Sequence, residues 1–182
     1  GLEKRLGERG IRIELADKPV PDVGPNDALV RITTTTICGT DVHILKGEYP
    51  VAKGLTVGHE PVGVIEKLGS AVQGYAEGQR VIAGAICPNF NSYAAQDGAP
   101  SQDGSYLVAS GRCGCHGYKA TAGWRFGNLI DGTQAEYVRV PLADMTLRSI
   151  PDNLSDESTI FTGDILATAF TALRQSGIVE GD

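Results

Sequence analysis

Hydrophobic and polar positions alternate with period two over several short stretches of the first 150 residues, then shift to a helical period. Ile11-Arg12-Ile13-Glu14-Leu15 alternates strictly and predicts a half-buried strand. Ala28 to Thr36 is rich in β-branched residues and predicts a second strand, running directly into Cys38. Pro61 to Gly69 predicts a third, with Gly63 marking a bulge or a close backbone approach. Gln79 to Ala85, Thr133 to Pro141 and Leu147 to Ile150 complete the strand set. Residues 1–10 are polar, charged and Gly-containing and read as a ragged start or as the remnant of a longer first hairpin. Thr40 to Gly47 allows a single helical turn. After Pro151 the apolar positions Ile160, Phe161, Ile165, Leu166, Ala169, Phe170 and Leu173 fall at helical spacing. Ser155 is the expected N-cap, Gly163 the expected break between two helices, and Gly177 the expected C-terminal stop.

Residues 87–132 show little periodicity and are rich in Gly, Ser, Asn, Asp and Gln. A loop this long inside a compact domain points to a functional or disordered lobe. It carries Cys113-Gly114-Cys115-His116 and the chain's only Trp, Trp124.

Composition narrows the class. Twenty-four Gly and nine Pro in 182 residues imply many turns, hence a mainly β chain with short helices. A net charge of -6 argues against binding a phosphate backbone, so no nucleic-acid partner is expected. No apolar run is long enough for a membrane helix and no signal-peptide pattern opens the sequence, which makes the cytoplasm the default expectation. Four Cys without a secretory signal suit ligands or free thiols better than a disulfide framework.

The candidate chemistry starts from Cys38, His59 and Asp164. A thiolate, an imidazole and a carboxylate are all donors that zinc accepts, and three protein ligands leave a position open, as in catalytic sites. Singly, each residue also has an ordinary explanation: a buried thiol, or an Asp in a turn.

The order of motifs goes further. Cys38-Gly39-Thr40-Asp41-x-His43, Gly58-His59-Glu60-x-x-Gly63, Gly78-Gln79-Arg80-Val81, Asp131 to Tyr137 and Gly163-Asp164-Ile165-Leu166 resemble the zinc-dependent medium-chain alcohol dehydrogenases. Asp164, where many members have Cys, is similar to the bacterial secondary-alcohol (isopropanol-type) branch. The resemblance implies a GroES-like, partly open β-barrel over 1–155, with 87–132 as its insertion lobe. It makes the helical segment 156–182 the junction to a coenzyme domain. It further implies one catalytic Zn²⁺ on Cys38, His59 and Asp164 with Glu60 as an exchangeable fourth ligand. Thr40 and His43 become a proton relay, and Trp124 a wall of the substrate pocket; the ordinary readings of these three are a strand-end turn, a cap and simple packing.

The implied activity is NAD(P)-dependent interconversion of alcohols with ketones or aldehydes, the full-length form being expected to be a homo-oligomer. Two other readings stand beside it: a non-catalytic GroES-like binding or assembly module, and a zinc-free quinone-reductase-like relative. Retention of Cys38, His59, Glu60 and Asp164 argues against the latter. The four-Cys structural zinc lobe of many members is not matched: Cys87, then Cys113-x-Cys115-His116, lack the C-x₂-C spacing. Free thiols or a second zinc both remain open there. No G-x-G-x-x-G turn occurs in the sequence. The nicotinamide-binding domain is therefore expected to lie outside this chain, which would be inactive without it.

Overall fold

The computed structural model describes residues 2–7, 10–109, 118–179 and 181, with side chains from Arg12 to Leu107 and from Tyr118 to Val179 and at Gly181. Cys113, Cys115 and His116 lie outside the described residues.

A five-stranded antiparallel sheet carries the fold. It is built from β3 (Ala28–Thr35), β4 (Pro61–Leu68), β5 (Arg80–Ala83), β6 (Tyr137–Val140) and β7 (Leu147–Ser149), in the order β6-β3-β4-β5-β7. Val30, Ile65, Val81, Val138, Val140 and Leu147 point to one side and form the core with Phe126 and Cys87 from the lobe. Each of these strands therefore contributes its β-branched or leucine positions to one face, as a half-buried sheet requires. A second, smaller core joins Val62 and Ile82 to Ile150 and Ile160. A mainly β chain with short helices between strands rather than α-helical layers is consistent with the GroES-like resemblance.

Several sequence expectations are adjusted. Of the two readings of the amino-terminal stretch, the hairpin is the one found: β1 (Leu2–Gly7) pairs antiparallel with β2 (Gly10–Leu15). Lys4 falls between Leu2 and Leu6 and breaks their alternation, which hid the strand from pattern reading. The helix after Cys38 is two turns long, α1 (Gly39–Lys46), ended by Gly47 in the left-handed region. Strand β6 starts only at Tyr137, because Thr133 and Gln134 are used elsewhere: their amides donate to the Gly58 and Val57 carbonyls. Gly63 behaves as expected. A Cβ there would lie 2.3 Å from the Arg31 carbonyl oxygen, and the β3–β4 register shifts beside it.

Among its described residues the lobe holds three short helical pieces: α2 (Tyr93–Gln96), a 3₁₀ turn (Pro100–Gln102) and α3 (Ser105–Ala109). Its centre is Asp103, fully buried. Asp103 accepts from the amides of Asn89 (2.7 Å) and Ser105 (2.9 Å) and pairs with the buried Arg125 at 3.0 Å. Arg125 also lies over the Tyr106 ring, 5.1 Å from its centroid.

After β6 come α4 (Ala143–Thr146), α5 (Asp156–Thr159), a 3₁₀ turn (Ile160–Thr162) and α6 (Ile165–Ser176). Ser155 caps α5 through the Ser158 amide, and Gly177 ends α6 with φ 72°, both as the sequence predicts. The apolar stripe of α6 faces outward: Phe170 is 62% exposed and Leu173 54%. No helix among the described residues is long and apolar enough to cross a membrane.

Candidate metal centre

Three donors converge where β3 leaves the sheet. Ligand atoms of Cys38, His59 and Glu60 lie within 4.8 Å of one another. His59 and Glu60 are each 4% exposed, and Cys38 is half-buried. Asp164, at the start of α6, joins through His59: its Oδ2 is 3.3 Å from His59 Nε2. Two light-atom donors of one tetrahedral zinc site, at bonds of about 2.0–2.1 Å, stand about 3.3 Å apart. The separation found therefore suits a shared cation as well as a hydrogen bond. His59 Nδ1 is buried and has no hydrogen-bond partner, leaving this ring only partly satisfied by protein.

The electrostatics show a site short of positive charge. Burial alone would lower the His59 pKa. Its hydrogen bonds to Asp164 and Cys38, with the charges of Asp41 and Cys38, outweigh that and raise it to about 9. The same contact with His59 holds Asp164 below the usual carboxylate value, against burial. Burial raises Glu60. In effect His59 offers a proton as the cation for three acidic partners. The donor set, one sulfur, one nitrogen and carboxylate oxygens, fits zinc.

Asp41 builds the geometry. This carboxylate is 3% exposed. Its Oδ2 accepts from the Cys38 amide (2.9 Å) and from Gln134 Nε2 (3.0 Å), and its Oδ1 accepts from the Gly58 amide (3.2 Å). One side chain thus fixes the Cys38 turn against the loop that carries His59. Gly58 has φ +94°, and a Cβ there would meet Gln134 Cγ at 2.7 Å. Upstream, Lys18 Nζ ties the Gly54 carbonyl (2.8 Å) to Asp131 (2.6 Å), and Asp131 accepts from the Thr56 amide (2.9 Å). The Thr run ending β3 serves the same end: Thr35 meets the Thr133 hydroxyl at 3.1 Å, and Thr36 donates to Glu60 Oε2.

The remaining expected residues are distributed around this cluster. Thr40 is half-buried, its Oγ1 3.7 Å from Cys38 Sγ. His43, three residues further on α1, is exposed and contacts Glu48 through Nδ1. Trp124 stands edge-on to His59, ring centroids 5.8 Å apart, its indole N–H donating to the Phe126 carbonyl at 2.8 Å. Tyr49, which sequence reasoning did not single out, packs on Trp124 at 5.7 Å and on His43 at 5.9 Å. Nothing in its surroundings, Glu48-Tyr49-Pro50, distinguishes it from an ordinary loop tyrosine. A cleft of about 780 Å³ runs from Asp164 along Thr168 and Gln175 of α6, facing Ile86 and residues 98–101 of the lobe. Cys87 takes no part: it is fully buried, its Sγ lies 3.6 Å from the Gly84 carbonyl oxygen, and burial pushes its thiol up to about 12. That is a neutral core thiol.

Comparisons with known proteins place the chain in a family. Residues 24–152 match the alcohol dehydrogenase GroES-like domain family. The chain is 78% identical over 171 residues to an alcohol dehydrogenase of Cupriavidus necator, spanning 94% of this chain and 47% of that protein. It is 32% identical to an NADP-dependent isopropanol dehydrogenase of Thermoanaerobacter brockii, over 91% of this chain and 43% of the relative. Among solved structures, alcohol dehydrogenase TADH from Thermus sp. ATN1 superposes with a TM-score of 0.73 at 32% identity, over 96% of this chain and 46% of that one. The chain spans just under half the length of each of these relatives. With the family match covering well over half of its residues, the chain belongs to the alcohol dehydrogenase GroES-like domain family.

Proposed function

We propose that this chain is the zinc-binding catalytic half of an NAD(P)-dependent alcohol dehydrogenase acting on small secondary alcohols and ketones. The observation that carries the reading is the convergence of Cys38, His59 and Glu60, with Asp164 3.3 Å from the His59 ring. It favours this reading over a zinc-free reductase, which has no use for the four donors together. The secondary-alcohol preference rests on Asp164 and on the relatives named isopropanol dehydrogenases.

Cys38, His59 and Asp164 would hold the zinc, with Glu60 as the exchangeable fourth ligand. When bound, zinc supplies a Lewis acid that polarises an alcohol or carbonyl oxygen. The thiolate and the Asp164 carboxylate together balance a dication, so a third anion is held less firmly. Thr40, beside Cys38, would take up the proton that the alcohol must lose; a nicotinamide, when bound, would supply the hydride acceptor. His43, on the exposed side of α1 with Glu48 as partner, passes that proton to water. Trp124 and Tyr49 wall the space next to His59. Residues 156–182 are the junction to the nicotinamide-binding domain, and the outward apolar stripe of α6 is the surface it covers.

The test is turnover by the full-length protein that contains these residues. It should oxidise 2-propanol with NAD⁺ or NADP⁺, and His59→Asn should lose more than about a hundredfold in rate, beyond the 10- to 100-fold typical of changes outside the ligand set. The 182-residue chain alone should show no turnover. A His59→Asn enzyme of near-normal rate would overturn the reading.

A further inference from the structure

Glu60 is a carboxylate that burial disfavours, yet it has company other than a metal. It is 4% exposed. The Thr36 hydroxyl donates to its Oε2, and the Ile165 amide also hydrogen-bonds to it. Both donors are fixed by the fold. Thr36 follows directly on β3 and its own carbonyl is held by Gln134 Nε2 at 3.3 Å. Ile165 is the first residue of α6, next to Asp164. Glu60 thus sits between the donor cluster on one side and two fixed hydrogen-bond donors on the other.

We propose that Thr36 is a positioning residue that gives Glu60 a second, non-ligating place. The inference rests on the zinc reading above. A ligand that yields its position must go somewhere, and a buried carboxylate left without a partner is costly. Moving it to solvent is not open to Glu60. The Thr36 hydroxyl and the Ile165 amide supply the partners instead, so Glu60 leaves the metal without becoming an unpaired buried charge. Removing the hydroxyl leaves only the amide and shifts Glu60 toward the metal, where it competes with any incoming oxygen or nitrogen ligand. Thr36, rather than the metal's own ligands, then sets how readily the fourth position opens.

The experiment uses the 182-residue chain loaded with Co²⁺, and imidazole as the incoming ligand, followed by the visible absorption of the metal. Thr36→Val and Thr36→Ala should both bind imidazole about tenfold more weakly than the parent chain, the size of a hydrogen bond to a charged group. They should also release Zn²⁺ to a chelator more slowly. Thr36→Ser, which keeps the hydroxyl, should restore parental values. In a Glu60→Gln background, Thr36→Val should add little, because the charge it manages is gone. A merely structural role for Thr36 would not show this pattern. If the parent chain binds Co²⁺ but Thr36→Val and Thr36→Ala take imidazole as well as the parent, the Thr36 role is overturned and the zinc reading stands. An effect of Thr36→Val that persists unchanged in Glu60→Gln overturns the Thr36 role in the same way. If the folded parent chain takes up neither Co²⁺ nor Zn²⁺, the zinc reading and the role of Thr36 both fall.

Discussion

His59 Nε2 and Asp164 Oδ2 stand 3.3 Å apart, although more than half of the chain separates the two residues. His59 rides on the loop before β4, held by Asp41 and by the Thr133 and Gln134 amides. Asp164 is placed by the turn at Gly163, where the Ala85 amide donates to the Gly163 carbonyl at 3.3 Å. Asp164 therefore reaches His59 through the docking of the Gly163 turn on the stretch just after β5.

Asp164→Asn keeps the shape and removes the charge. Zinc affinity, measured by competition with a chelator, should fall at least tenfold, because an amide oxygen does not help neutralise the dication. Equal affinity in the variant would place the metal elsewhere.

Two glycines of the candidate site should respond in opposite ways. Gly58→Ala forces a side chain into φ +94° and against Gln134, and should cost at least about 2 kcal/mol while weakening zinc binding. Gly39→Ala, at the first position of α1 with nothing within 4 Å of the new Cβ, should be neutral or stabilise by up to about 1 kcal/mol. Urea unfolding of both variants checks the contrast. Similar losses in the two would contradict it.

The buried Asp103–Arg125 pair should hold the lobe. Arg125→Met leaves a buried carboxylate without its counter-charge, and should destabilise by about 3 kcal/mol. There is a pH signature as well. Burial pushes Asp103 up, but the Asn89 and Ser105 amides and the hydroxyls of Ser105 and Ser92 together hold it below its usual 3.8. A carboxyl whose folded pKa is depressed stabilises the fold above the unfolded value, and that contribution disappears as pH falls through the folded value. The parent chain should thus lose stability below about pH 4, while Asp103→Asn should lack this component. Melting temperatures from pH 7 down to pH 2.5, compared between the two, report it.

The outward stripe of α6 makes a further expectation. Phe170→Glu with Leu173→Glu should lower the binding of a hydrophobic dye by the isolated chain and leave its circular dichroism unchanged. Dye binding that does not change would mean the stripe is not the accessible apolar surface.

Strand positions were legible from the sequence because sheet residues alternate or cluster as β-branched runs: β2, β3, β4, β5 and β7 lie where the pattern puts them. The candidate donors come from motif order, not from spacing. Cys38, His59 and Glu60 come together in the structure, while Asp164 joins only through the turn at Gly163. Less legible were features that depend on tertiary partners. Gln134 reads as a strand residue, but its side chain is taken by Asp41 and by the Thr36 carbonyl. The four-Thr run reads as plain β-propensity, yet Thr33, Thr35 and Thr36 each hold a different segment, at Asp156, Thr133 and Glu60. Tyr49 meets Trp124 just past the left-handed Gly47 that ends α1, a contact that no local pattern marks. Hydrophobic patterning located α6 but not the direction of its apolar side, since a helical period says that a face is apolar and not what covers it.

The most direct measurement is the zinc content of the folded 182-residue chain by elemental analysis, with and without Cys38→Ser. One equivalent of Zn²⁺ per chain, falling to trace levels in Cys38→Ser with the fold retained, is the expected result. A folded parent chain that binds no zinc, or a Cys38→Ser chain that still holds a full equivalent, would contradict the assignment of this centre.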